Sequence, residues 1–98
     1  MTDRSPFANV LHVETIAKLA RGATLARGRA YADQGRVNKL SRRKARLFAR
    51  VQGTAMYAVS IWVKGRGLGY ACTCPAGAEG DFCKHCVAVA IVWVARHA

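Results

Sequence analysis

Negative charge is what this chain has least of. Five Asp and Glu stand against 16 Lys and Arg, a formal charge of +11 over 98 residues. Such an excess repels itself and favours a polyanionic partner, whether DNA, RNA or an acidic membrane surface. Five scattered acids and no paired nucleophile and base leave little to run chemistry, so no enzyme is expected. Long apolar runs are also missing. The longest, Val87 to Ala95 (VAVAIVWVA), is nine residues, and a bilayer span needs about 20. The opening MTDRSPFANVLHV has no cationic segment followed by an apolar one, so no signal peptide is expected. A reducing, cytoplasmic setting follows as the expectation, nucleoid association included, and there clustered cysteines favour metal over disulfides. The chain contains no internal repeat and no low-complexity segment.

What is present reads as one small folded α+β domain. Apolar residues make up 52% of the chain, too many for a disordered segment. Ile16, Leu19 and Ala20 fall at helical spacing from Leu11, His12 and Val13, with Gly22 as a stop. ATLARGRAYADQG gives a second helix ending at Gly35, with Gly28 inside it at a cost of about 1 kcal/mol against alanine. The helical part is expected over residues 10–35.

The period then changes to two. Leu47, Ala49 and Val51 alternate with Arg46, Phe48 and Arg50; Tyr57, Val59, Ile61 and Val63 alternate with Met56, Ala58, Ser60 and Trp62. Strands around residues 36–41 and 67–73 flank this pair, giving an antiparallel sheet of three to four strands over 36–73. The last strand leads directly into Cys72. A cysteine-bearing loop and a helix from Val87 occupy 72–96, and that helix is apolar on nearly every side, so it needs cover on several faces. A partner, a second copy or a neighbouring domain of a longer protein could supply it.

CTCPAGAEGDFCKHC, residues 72–86, holds all four cysteines and His85. Zinc takes four such ligands tetrahedrally, and Pro75, Gly77 and Gly80 let the chain turn between the two halves while discouraging one regular element from running through. Three thiolates and a fourth protein ligand close the shell, which marks a structural site, since a catalytic zinc keeps a position open. His12 and His97 are expected as ordinary surface or core residues.

The pattern C-T-C-P … C-K-H, followed by a small-apolar helix, resembles the SWIM zinc-finger family, whose pattern is C-x-C, a variable spacer, then C-x-H. ARGRAYADQGRV, followed by alternating strands with VQGTAMYAVSI, is similar to the segment that precedes the finger in family members, so the likeness runs from Leu25 to Trp93. It implies Zn2+ held by Cys72, Cys74, Cys83 and His85, in a family generally proposed to bind DNA or proteins. Cys86 departs from the family's aliphatic residue. With Cys83 it forms a C-x-x-C that could complete a four-cysteine site or act as a redox pair. On a helix, residues two apart point about 200° away from each other. Cys83 and His85 therefore reach one zinc only if the helix starts near Lys84 or His85, with Cys83 in the turn and Asp81 or a backbone group as its cap. Cys86 then becomes a small buried hydrophobe.

The positive charge is concentrated. Lys18 to Arg50 holds eleven basic residues and one acid. Arg36, Lys39, Arg42, Arg43, Lys44, Arg46 and Arg50 are the candidate nucleic-acid contacts, arginine's fork suiting phosphate better than lysine. Phe48 alternates with Arg46 and Arg50 and could stack on a base. DNA is the expected partner, with RNA open. The plain alternative is a solvated cationic edge strand that guards against aggregation. Two other readings are a protein-interaction module that docks through the terminal helix with Trp93, and a thiol redox protein using Cys83 and Cys86.

Overall fold

Alternation at period two sets the centre of the molecule. The computed structural model, which describes residues 6–97, shows four strands in a simple antiparallel meander, ordered β1-β2-β3-β4. They are β1 (Val37–Arg43), β2 (Arg46–Gln52), β3 (Met56–Lys64) and β4 (Gly67–Cys72). The register pairs Leu47 with Ile61, Ala49 with Val59, Val51 with Tyr57, and Val59 with Cys72. One face of the sheet is thereby apolar, and Leu47, Val51 and Ile61 on it are wholly buried. The opposite face carries Arg46, Phe48, Arg50 and Met56, all exposed. Because side chains alternate strictly, these two faces are built from the same strands.

Strand β1 runs two residues beyond its expected end and is irregular. Its pairing with β2 shifts between Asn38 and Ser41, where Lys39 takes φ 53°. This extra residue flips the alternation, so Leu40 and Arg42 are half-buried and Arg42 stands opposite Leu47. Arg42 therefore does not share the solvent face with Arg46 and Arg50, as the plain alternation predicts.

The N-terminal part is helical: a 3-10 turn (Pro6–Asn9), α1 (Val13–Leu19) and α2 (Ala23–Asp33). Gly35 closes α2 at φ 69°, the left-handed cap expected of it. Two further helices follow the sheet, the single turn α3 (Pro75–Ala78) and α4 (Lys84–His97). The turn α3 was not expected, and α4 begins three residues before Val87. Helix α4 lies across the apolar face and touches all four strands, while α2 and α1 cover its other side. A Cβ at Gly28 would overlap the Val87 side chain, so the glycine inside α2 is what lets the two helices approach. Trp93 meets Phe7 edge-to-face at 5.8 Å. The cover that the all-round apolar helix needs is thus supplied largely within the chain: Val87, Val89 and Ala90 are fully buried and Trp93 is 7% exposed. Among the described residues no helix is long and apolar enough to cross a membrane.

Candidate metal centre and basic sheet face

The sheet delivers the first two thiols and the start of α4 the other donors. Cys72 ends β4, and two hydrogen bonds beyond it prolong the pairing: Thr73 N donates to Ala58 O at 3.1 Å, and Ala58 N to Thr73 Oγ1 at 2.9 Å. Cys74 is the N-cap of α3, its sulfur accepting from Gly77 N at 3.2 Å. That N–H both caps the turn and orients a ligand sulfur. A side chain at Gly77 would collide with the Cys72 backbone, so this tight turn takes glycine there. Cys83 stands immediately before α4, its carbonyl accepting from Val87 N at 3.0 Å, and His85 lies in the first turn of the helix. Helix geometry required this start.

The Sγ atoms of Cys72, Cys74 and Cys83 and a ring nitrogen of His85 all lie within 4.8 Å of one another, and all four residues are buried. His85 Nδ1 is 3.7 Å from Cys72 Sγ and 3.6 Å from Cys83 Sγ. A tetrahedral zinc with ordinary bond lengths has sulfur–nitrogen edges of about 3.6 Å, so the group fits the ion. Four soft donors with no carboxylate among them form a closed site, with no place for a reactive water. The His85 ring packs against Tyr57 at 4.7 Å and Tyr31 at 5.6 Å. Its Nε2 is buried without a hydrogen-bond partner, facing Gly53, where an added Cβ would come within 3.1 Å. Sequence reasoning missed this aromatic box; the placement of Tyr57 on the same strand face as Val59 was its only signal.

Cys86 is wholly buried within the core and is not one of the four converging residues. Its sulfur lies 3.8 Å from that of Cys83. None of the four cysteines is in a disulfide. Hydrogen bonds with Cys72 and then Cys86 hold the Cys83 thiol far below its usual range. The same bonds to Cys83, with burial behind them, push Cys72 and Cys86 upward. A cation bound among these sulfurs would favour the charged form of Cys72 that burial and its neighbour oppose.

The seven basic candidates are divided by the fold. Arg43, Arg46 and Arg50 are exposed on the open face, with Arg43 opposite Arg46 across the strand pair. Lys44 is exposed in the β1–β2 turn at φ 52°, and Lys39 is exposed at the bulge. Arg36 instead ties α2 to the sheet: it donates to Gln34 Oε1 at 2.6 Å and Gln52 O at 3.1 Å and lies 4.7 Å over Tyr31. Arg42 donates to Lys44 O at 2.8 Å. No acid occurs between Asp33 and Glu79, a span that includes the whole sheet. A cleft of about 610 Å3 beside the metal site is lined by Arg21, Arg27 and Lys84 together with Asp81; none of the three basic residues is among the seven candidates. His12 is exposed at the start of α1, and His97 stacks on Trp93 at 3.6 Å.

No curated protein and no solved structure matches the chain. A family model does: residues 57–93 match the SWIM zinc finger. The match spans β3, β4, the zinc loop and most of α4, leaving α2, β1 and the arginine-bearing β2 outside it. The segment 57–93 thus matches the SWIM zinc finger and carries four buried donors gathered at the strand end and the helix start.

Proposed function

We propose that this domain is a structural-zinc module that binds nucleic acid, DNA foremost, through the open face of its sheet. The observation that carries this is the placement of Arg43, Arg46 and Arg50 on one exposed face of an acid-free sheet. Lys44 and Lys39 extend the positive strip along its edge. Zinc's part is to tie β4 to α4 and hold the sheet in order, supplying folding free energy that a small core lacks. No residue of the site performs a reaction in this reading.

An exposed arginine strip used only as a guard against aggregation would bind nothing. Binding of zinc-loaded protein to labelled DNA and RNA over a salt series separates the two, with log K falling linearly in log salt if phosphates are engaged. Binding that is absent for both, or indifferent to salt, overturns the proposal. The protein-docking alternative calls for an exposed apolar helix, and most of α4 is covered by this chain's own α2 and sheet. The redox alternative calls for accessible thiols, and Cys83 and Cys86 are buried.

A further inference from the structure

The open sheet face carries aromatic rings as well as charge. Trp62 lies on β3 diagonal to Phe48, since Phe48 pairs with Ser60 and Arg46 with Trp62. Its indole lies against Gly69 of β4: a Cβ there would overlap the ring. The ring therefore sits directly over Gly69 of the neighbouring strand. The Arg46 guanidinium sits 4.4 Å from the Trp62 ring and 6.0 Å from the Phe48 ring. Phe48 itself is 39% exposed, on a strand whose buried residues are all on the other face. The face is thus two rings bridged by a guanidinium, with Arg43 and Arg50 on either side.

We propose that this face binds single-stranded nucleic acid, with unpaired bases stacking on Phe48 and on the Trp62–Arg46 pair while the flanking arginines hold the phosphates. The inference rests on the nucleic-acid reading above and specifies its substrate. Aromatic and guanidinium planes match the faces of unpaired bases, which are hidden inside a duplex. Reading a duplex usually calls for a helix or a two-stranded ribbon that can enter the major groove. Here α4 packs on the other face of the sheet, and Trp62 sits over Gly69 of β4. Charge complementarity selects the occupant: an apolar peptide would leave Arg43, Arg46 and Arg50 desolvated and without acids to meet them.

The test uses the full zinc-loaded chain with a dT20 oligonucleotide and a 20-base-pair duplex at equal salt. Single strand is expected to bind more tightly and to quench tryptophan fluorescence through Trp62, because Trp93 is buried in the core. Phe48→Ala is expected to weaken dT20 about ten-fold or more with little change for the duplex. Trp62→Phe keeps a ring and is expected to keep binding while losing the quench, which guards against a misfolded alanine variant. If the duplex binds as tightly, or Phe48→Ala leaves dT20 affinity unchanged, this inference fails while the nucleic-acid proposal stands. If neither these probes nor RNA bind, both fail.

Discussion

The two faces of the sheet are made by the same four strands and have opposite characters. Toward α4, β2 presents Leu47, Ala49 and Val51, all buried. Away from it, the same strand presents Arg46, Phe48 and Arg50, all exposed. The covered face ends at Cys72 and so merges with the metal site; the open face ends in a cationic turn. Burial and exposed positive charge are therefore carried by residues that alternate along one chain yet touch different things. Substitutions on one face should leave the other's property largely intact, because additivity holds for side chains with no shared partners.

The largest expected effect is on the covered side. Removing zinc with a chelator, or replacing Cys72 or Cys83 by serine, should unfold at least the loop and α4, since a structural zinc contributes on the order of 10 kcal/mol. Far- and near-ultraviolet circular dichroism with a zinc count measures this, and binding to nucleic acid should be lost along with the fold. Cys86→Ala should retain one zinc per chain. Zinc loss in Cys86→Ala but not in His85→Ala would make Cys86 the fourth ligand.

Next in size is the helix contact. Gly28→Ala forces a methyl group into Val87, and overpacking of this kind costs about 1–3 kcal/mol. A shift in the denaturation midpoint of zinc-loaded protein would show it. A neutral result would mean that α2 and α4 can separate cheaply.

Acid should act through the cluster in a definite direction. Zinc needs thiolates, and Cys72 holds its proton unusually tightly when the cluster lacks a cation. Zinc uptake at neutral pH must expel that proton, so affinity rises with pH and zinc is released as pH falls. A zinc-dye competition series across pH reads the slope. Retention that strengthens on acidification would contradict three-thiolate ligation. The smallest effect on stability is expected on the open face, where Arg43→Ala, Arg46→Ala and Arg50→Ala should each change it by about 0.5 kcal/mol or less.

Much of this was legible in the sequence because it depends on local rules. The alternation of Leu47, Ala49 and Val51 marks β2, and the requirement that Cys83 and His85 reach one point places the helix start near Lys84 or His85; it begins at Lys84. Other features depend on contacts between distant residues. The bulge at Lys39 arises from pairing with β2 and turns Arg42 toward the covered side, which composition alone cannot show. Trp62 rests on Gly69 only because β3 and β4 pair in one register. The burial of α4 depends on α2 reaching it over Gly28. The ring packing around His85 joins residues from α2, β3 and α4, a convergence that spacing in the chain does not encode.

The central claim is that the two faces separate folding from binding. The most direct measurement is a salt titration of nucleic-acid binding for the zinc-loaded protein and for the triple variant Arg43→Ala/Arg46→Ala/Arg50→Ala, with zinc content and thermal midpoint measured on the same samples. Each phosphate contact contributes about 0.7 to 0.9 to the slope of log K against log salt. The account predicts a slope lower by about 2 to 3 in the variant, with zinc content unchanged and the midpoint moved by no more than the three small surface effects together. An unchanged slope, or a variant that loses its zinc or its fold, would contradict it.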